Sequence, residues 1–189
     1  RRTRRAARVE SGPHSFADNA EDLDRDALEP RELLVDVLAR DGDLLVVHHG
    51  LFWAGAQPVT AGLLRKYRLL INHDIAIYSS HLPLDRHPVI GNNVLLAKSL
   101  GLLPSSTWLP YKGVAIGVVA ENVILTAELA ERARVFAAPL GHHVVVSPHT
   151  RDRVSKRIAI CSGGGASAES IREAVAIGAD TPVVGEGAH

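Results

Sequence analysis

Apolar residues fall along this chain in short runs whose period switches between that of a strand and that of a helix. Residues 43–49 (DLLVVHH) and 74–80 (DIAIYSS) are nearly continuous apolar runs of strand length. Such runs read as parallel strands buried on both faces. Further strands are predicted over 114–119, 144–146, 157–161 and 182–184. Helices are predicted over 30–40, 60–72, 91–100, 125–136 and 166–177. The first places Pro30 near its opening turn and Leu33, Leu34, Val37 and Leu38 on one stripe. Gly101 follows 91–100 as a C-terminal cap. Strand and helix alternate, so the expected class is α/β, with a parallel-rich sheet flanked by helices.

Residues 1–28 break this pattern. Five arginines stand among the first eight positions, and Asp18, Glu21, Asp22, Asp24 and Asp26 follow. Large apolar residues are scarce, so this segment is expected to be poorly ordered, with the α/β region spanning 29–189. The sequence holds no methionine even at position 1, so the natural start is expected elsewhere.

Composition narrows the classes. Net charge is zero, which gives no bulk attraction to nucleic acid or to an anionic membrane. A single cysteine, Cys161, rules out a disulfide framework and fits a reducing compartment. No apolar stretch approaches the roughly 20 residues that span a bilayer. Cytoplasm is the expected location.

The chemistry lies at the strand ends. His48 and His49 close one apolar run, and Gly50 follows. Neighbouring side chains on a regular strand point to opposite faces, so both imidazoles converge only where the chain turns. Gly50 supplies that freedom. The second run ends in His81 and, four residues on, Asp85. A bare His-His pair reads as one core and one surface histidine. A second strand end with imidazole and carboxylate turns the reading toward a metal site. In an open α/β sheet the carboxyl edge is where ligands bind. Imidazole with carboxylate suits Zn, Mn, Fe and Ni, and hydrolysis is a common use. Asp85 is the better ligand candidate. His81 is open to three roles: ligand, support of a ligand, or proton carrier. Pro83 argues against a regular helix between them.

Gly163, Gly164 and Gly165 join a strand to a helix. Backbone N–H groups there can meet phosphate, although a tight strand-to-helix turn explains the glycines without any function and is the favoured reading. Cys161 reads as core. His142 and His143 precede the strand expected at 144–146, on the wrong edge, and read as surface residues. Glu186 and His189 follow the last strand on the correct edge and join the site candidates.

Five segments taken in order, DLLVVHHGLFW at 43–53, IAIYSSHLPLD at 75–85, GNNVLLAKSLGL at 91–102, RIAICSGGGAS at 157–167 and GADTPVVGEGAH at 178–189, carry a family likeness. Residues 30–189 resemble the Nif-three-like family of dinuclear-metal-centre hexameric proteins, the type 2 GTP cyclohydrolase I homologues. The resemblance implies a Nif-three-like fold and a homohexamer. It implies that His48, His49 and Asp85 are metal ligands. The family's remaining histidine and glutamate lie in a segment resembling GHYATE, beyond the position where this sequence stops. The chain is therefore expected to be C-terminally truncated. It should hold at most one of the two divalent ions of the complete site.

The implied activity is a divalent-metal-dependent opening of the GTP imidazole ring. Hydroxide attacks carbon 8, and formate and dihydroneopterin triphosphate are released. His81, Glu186 and His189 are the candidates for moving protons, and the glycine turn for meeting the nucleotide's phosphates. The alternative is a non-catalytic metal-binding or regulatory ring protein.

Overall fold

Residues 42–81 alternate strand, helix and strand, and their apolar faces meet in one small core. The computed structural model describes residues 6–8 as backbone, and 42–52 and 55–186 in full. The helix expected over 30–40, most of the basic and acidic segment, and His189 lie outside the described residues. The chain divides into two compact units, Arg1–His81 and Leu82–His189.

The first unit holds β1 (Ala6–Arg8), β2 (Leu44–Val47), α1 (Ala61–Asn72) and β3 (Ala76–Ser79). All its strands are parallel, in the order β1-β2-β3. Strand β1 falls within the segment 1–28 expected to be poorly ordered, and its three residues pair with β2. Nothing in an Ala-Ala-Arg triplet signals a strand, and the ladder alone makes it one. Leu45, Leu70 and Ile75 form the core, with Val47, Leu51, Leu69 and Ile77 packed against them. Helix α1 thus lies on the face that Leu45, Val47 and Ile77 share, as the two-residue period of a strand requires. Asp74 ends the helix in a left-handed conformation, φ 52°. A short polar side chain tolerates that geometry better than most.

The expectation that both runs are buried on both faces does not hold. Ala76, Tyr78 and Ser79 of β3 are exposed. The reason is position: β3 is an edge strand, and α1 covers only one face.

The second unit holds α2 (Leu82–Asp85), α3 (Asn92–Ser99), β4 (Pro104–Tyr111), β5 (Val114–Leu125), α4 (Thr126–Ala137), β6 (Val154–Cys161), α5 (Ala168–Ala176) and β7 (Thr181–Val184). The sheet order is β4-β5-β6-β7, with the first two pairings antiparallel and β6–β7 parallel. Val94, Ala97, Leu100, Leu102 and Leu129 pack on Val118, Ala120, Ile158 and Ile160, so α3 and α4 cover one face. Trp108, Val119, Ala159, Cys161 and Ala174 pack together on the other, beneath α5.

Three predicted features change. Residues 144–146 are not a strand: Val145 is 86% exposed and 142–150 carry no regular structure. Valine-rich triplets need a neighbouring ladder, and none among the described residues reaches them. Strand β4 goes unpredicted because Pro104 and Pro110 interrupt its pattern. It lies at the sheet edge, where proline costs no ladder bond. Finally, Leu82–Asp85 forms a short helix despite Pro83. Proline sits at its second position, where the N–H has no intrahelical partner.

Candidate metal centre

Because β2 and β3 run parallel, their C-terminal ends reach the same edge of the sheet. Residue pairing ends at Val47 and Ser79, and the N–H of Ser80 donates to the Val47 carbonyl at 2.9 Å. Beyond it the chain bends at His48 and His49. The Ser79 hydroxyl donates to the His48 carbonyl at 3.0 Å. Gly50 passes so close that a Cβ there would lie 3.0 Å from the Ser79 Cβ. Closeness, and not a left-handed backbone, is therefore what residue 50 requires. This corrects the reason expected for that glycine.

The outcome is a cluster of three imidazoles. One ring nitrogen each from His48, His49 and His81 can be chosen so that all lie within 4.8 Å of one another. Ring centroids are 4.6 Å apart for His48–His49, 4.5 Å for His48–His81 and 4.9 Å for His49–His81. All three residues are half-buried. The sequence leaves the role of His81 open; its position in the fold makes it a third nitrogen donor as readily as a proton carrier.

Burial lowers the His49 pKa from 6.5 to about 4, with the adjacent charges of His48 and His81 adding to the effect. At neutral pH this ring is neutral. Three imidazoles this close, with His49 disfavouring a proton, suit a borderline cation with nitrogen ligands, such as Zn, Fe, Co or Ni. The donor set fits a divalent transition metal.

The same shift has a consequence for stability. A histidine whose folded pKa lies below its unfolded value stabilises the fold least in acid, because the unfolded chain binds the proton first. Metal-free protein should therefore lose stability as pH falls from about 6.5 towards about 4. Thermal melts in chelator at pH 7.5, 6.5 and 5.5 measure this, with His49→Gln as comparison. Equal pH slopes for the two proteins would contradict it.

The second unit holds the other candidates. The Asp85 carboxylate is buried, and Oδ1 accepts a hydrogen bond from Asn92 Nδ2 at 3.0 Å. Asn93, 1% exposed, donates Nδ2–H to the Ile116 carbonyl at 2.6 Å and accepts the Ser162 N–H at 2.5 Å. One buried amide thus ties α3 to β5 and to the residue that opens the glycine turn. Its only signal in the sequence is a polar residue among apolar helix positions, which by itself assigns no role.

Gly163 takes φ +66°, and its carbonyl accepts the N–H of Gly165 at 2.7 Å and of Glu186 at 2.9 Å. A Cβ on Gly185 would lie 2.4 Å from the Gly163 nitrogen. The ends of β6 and β7 therefore cross backbone to backbone, and that crossing holds Glu186. Helix α5 is capped by Ser167, whose Oγ accepts the Ser170 N–H at 3.0 Å. His142 and His143 are exposed.

Burial, and then the charge of Asp85, raise the Cys161 thiol to about 11. A thiol so shifted is protonated at pH 8, and the nucleophile is the thiolate. Native protein should leave an Ellman-type reagent unconsumed at pH 8 over minutes and react with one equivalent once unfolded. Rapid reaction of the native thiol would refute the burial argument.

Fold and site together define a mixed α/β protein with a three-histidine cluster suited to a divalent cation. The family model described as Duf34/NIF3 (NGG1p interacting factor 3) matches residues 27–189, and the chain belongs to this family. A GTP cyclohydrolase 1 type 2 homolog of Pseudomonas aeruginosa is 36% identical over 158 residues, 82% of this chain and 60% of that protein. Its namesake in Archaeoglobus fulgidus is 35% identical over 153 residues, 80% of this chain and 58% of the relative. Among solved structures, protein ybgI, described as of unknown function, superposes with a TM-score of 0.69 at 31% identity, covering 84% of this chain and 62% of its own. The chain thus spans about 60% of the length of these relatives. No helix among the described residues is long and apolar enough to cross a membrane.

Proposed function

We propose that this chain is part of a divalent-metal-dependent hydrolase that opens the imidazole ring of GTP and releases formate. The observation that carries the reading is the convergence of His48, His49 and His81 on one point. The name shared by its relatives, GTP cyclohydrolase 1 type 2 homolog, supplies the substrate. His48 and His49 hold the metal, with Asp85 as the further ligand that the family resemblance implies. A bound divalent ion supplies Lewis acidity and lowers the pKa of a water toward about 7.

The remaining roles belong to the chain's own groups. His81 either completes the nitrogen set or passes a proton. Glu186 and His189 carry protons to and from the substrate. The N–H groups of Gly163, Gly164 and Gly165 meet the triphosphate. The protein works as a cytoplasmic homohexamer.

A second reading, a metal-binding ring protein without turnover, shares the same cluster. One experiment separates them. Purified full-length protein is loaded in turn with Mn²⁺, Fe²⁺ and Zn²⁺, assayed for bound metal, and incubated with GTP. Formate release is the expected result. Bound metal without formate in all three preparations supports the second reading, and absence of bound metal removes both.

A further inference from the structure

We propose that Ser79 is a positioning residue for the three-histidine cluster: its hydroxyl and its small size together fix the backbone that aims His48 and His49. The proposal rests on the reading of that cluster as a metal centre. Three observations carry it, all within the first unit.

The ladder between β2 and β3 ends at the pair Val47–Ser79, so the His48 carbonyl lies beyond the last paired residue. Ser79 Oγ donates to that carbonyl at 3.0 Å and extends the connection by one residue past the sheet. Gly50 then crosses the same serine, at 3.0 Å from its Cβ and 3.2 Å from its Oγ to the site of a Gly50 Cβ. Ser79 therefore touches the chain on both sides of His49. It also stands two residues before His81. A single side chain sits between both strand ends that deliver the imidazoles.

Ser79 is exposed, and a hydrogen bond open to water adds little to global stability. Its effect is on geometry. Metal ligands tolerate displacements of only a few tenths of an ångström, and the groups that orient them are typically worth about 10–100-fold in metal affinity. A residue that merely filled space on the edge of β3 would leave metal affinity unchanged when its hydroxyl is removed.

The test titrates metal-free protein with Co²⁺ alone, following the visible absorption of the bound ion. Wild type, Ser79→Ala and His48→Ala are compared, with a thermal melt of each metal-free protein. Ser79→Ala should bind Co²⁺ about 10-fold more weakly, with shifted absorption bands. Its metal-free melting temperature should move by no more than about 4 °C. His48→Ala should lose Co²⁺ altogether. If His48→Ala loses the ion while Ser79→Ala matches wild type in affinity and spectrum, Ser79 has no positioning role and the metal centre stands. If His48→Ala binds Co²⁺ as wild type does, the metal-centre reading fails and the proposal falls with it.

Discussion

His49→Ala is expected to lower the affinity of the cluster for Zn²⁺ by more than about 100-fold. Groups one step removed from a metal are already worth about 10–100-fold, and a direct ligand is worth more. Burial lowers the His49 pKa to about 4. Its ring is therefore neutral at pH 7.5. Removing it takes away one of the three nitrogen donors that a four-coordinate shell would draw on. Competition against a coloured chelator at pH 7.5 measures the change. His142→Ala, an exposed histidine, serves as control and should bind as wild type does. Equal affinity of His49→Ala and wild type would show that the cluster is not the binding site.

Gly117→Ala is expected to cost the fold heavily. Trp108 is 3% exposed, and its indole crosses β5 at Gly117 to donate to the Ile160 carbonyl of β6 at 3.0 Å. A Cβ at 117 would lie 2.2 Å from the indole Nε1 and 2.9 Å from the Ile160 carbonyl oxygen. One of those neighbours is backbone in a buried strand and cannot yield. The indole must leave. Overpacking costs about 1–3 kcal/mol. A buried N–H left without its acceptor costs about 1–3 kcal/mol more. A loss of about 3 kcal/mol lowers the melting temperature by about 6–12 °C in a chain of this size. Trp108→Phe, which removes the N–H and keeps a ring, should lose less. Thermal melts with near-ultraviolet circular dichroism decide it. An unchanged melt and an unchanged tryptophan signal would mean that the indole is not locked over Gly117.

Elements whose signal is local are legible in the residue pattern itself. The helices over 61–72, 92–99, 126–137 and 168–176 follow their apolar spacing and end within a few residues of expectation. The strands at 44–47, 76–79, 114–125, 154–161 and 181–184 follow their apolar runs, although some extend further. Strand β4 is hidden because its prolines mimic a loop. The available clue is the two-residue turn Lys112-Gly113, with φ 49° and 78°, which is the geometry of a tight hairpin. The triplet 144–146 misleads for the opposite reason. It has strand composition and no partner strand among the described residues.

At the candidate site the division is sharper. The order of five motifs along the chain determined the family, and strand ends rich in imidazole determined where to look. Those are properties of neighbouring residues, and a sequence displays them directly. Which donors converge is a different kind of fact. His81 joins His48 and His49 because β2 and β3 pair in one parallel register, and a bond from Ser79 to His48 spans 31 positions of sequence. Gly50 and Gly117 are glycines because another residue, distant along the chain, occupies the space a Cβ would take. Asn93 matters because an N–H 69 positions away needs its oxygen. Periodicity and motif are written one residue at a time, so the sequence alone determined most of the elements and the family. Contacts measured in tenths of an ångström depend on strands packed from separate stretches of chain, so only the tertiary structure decided which histidines come together and what holds them there.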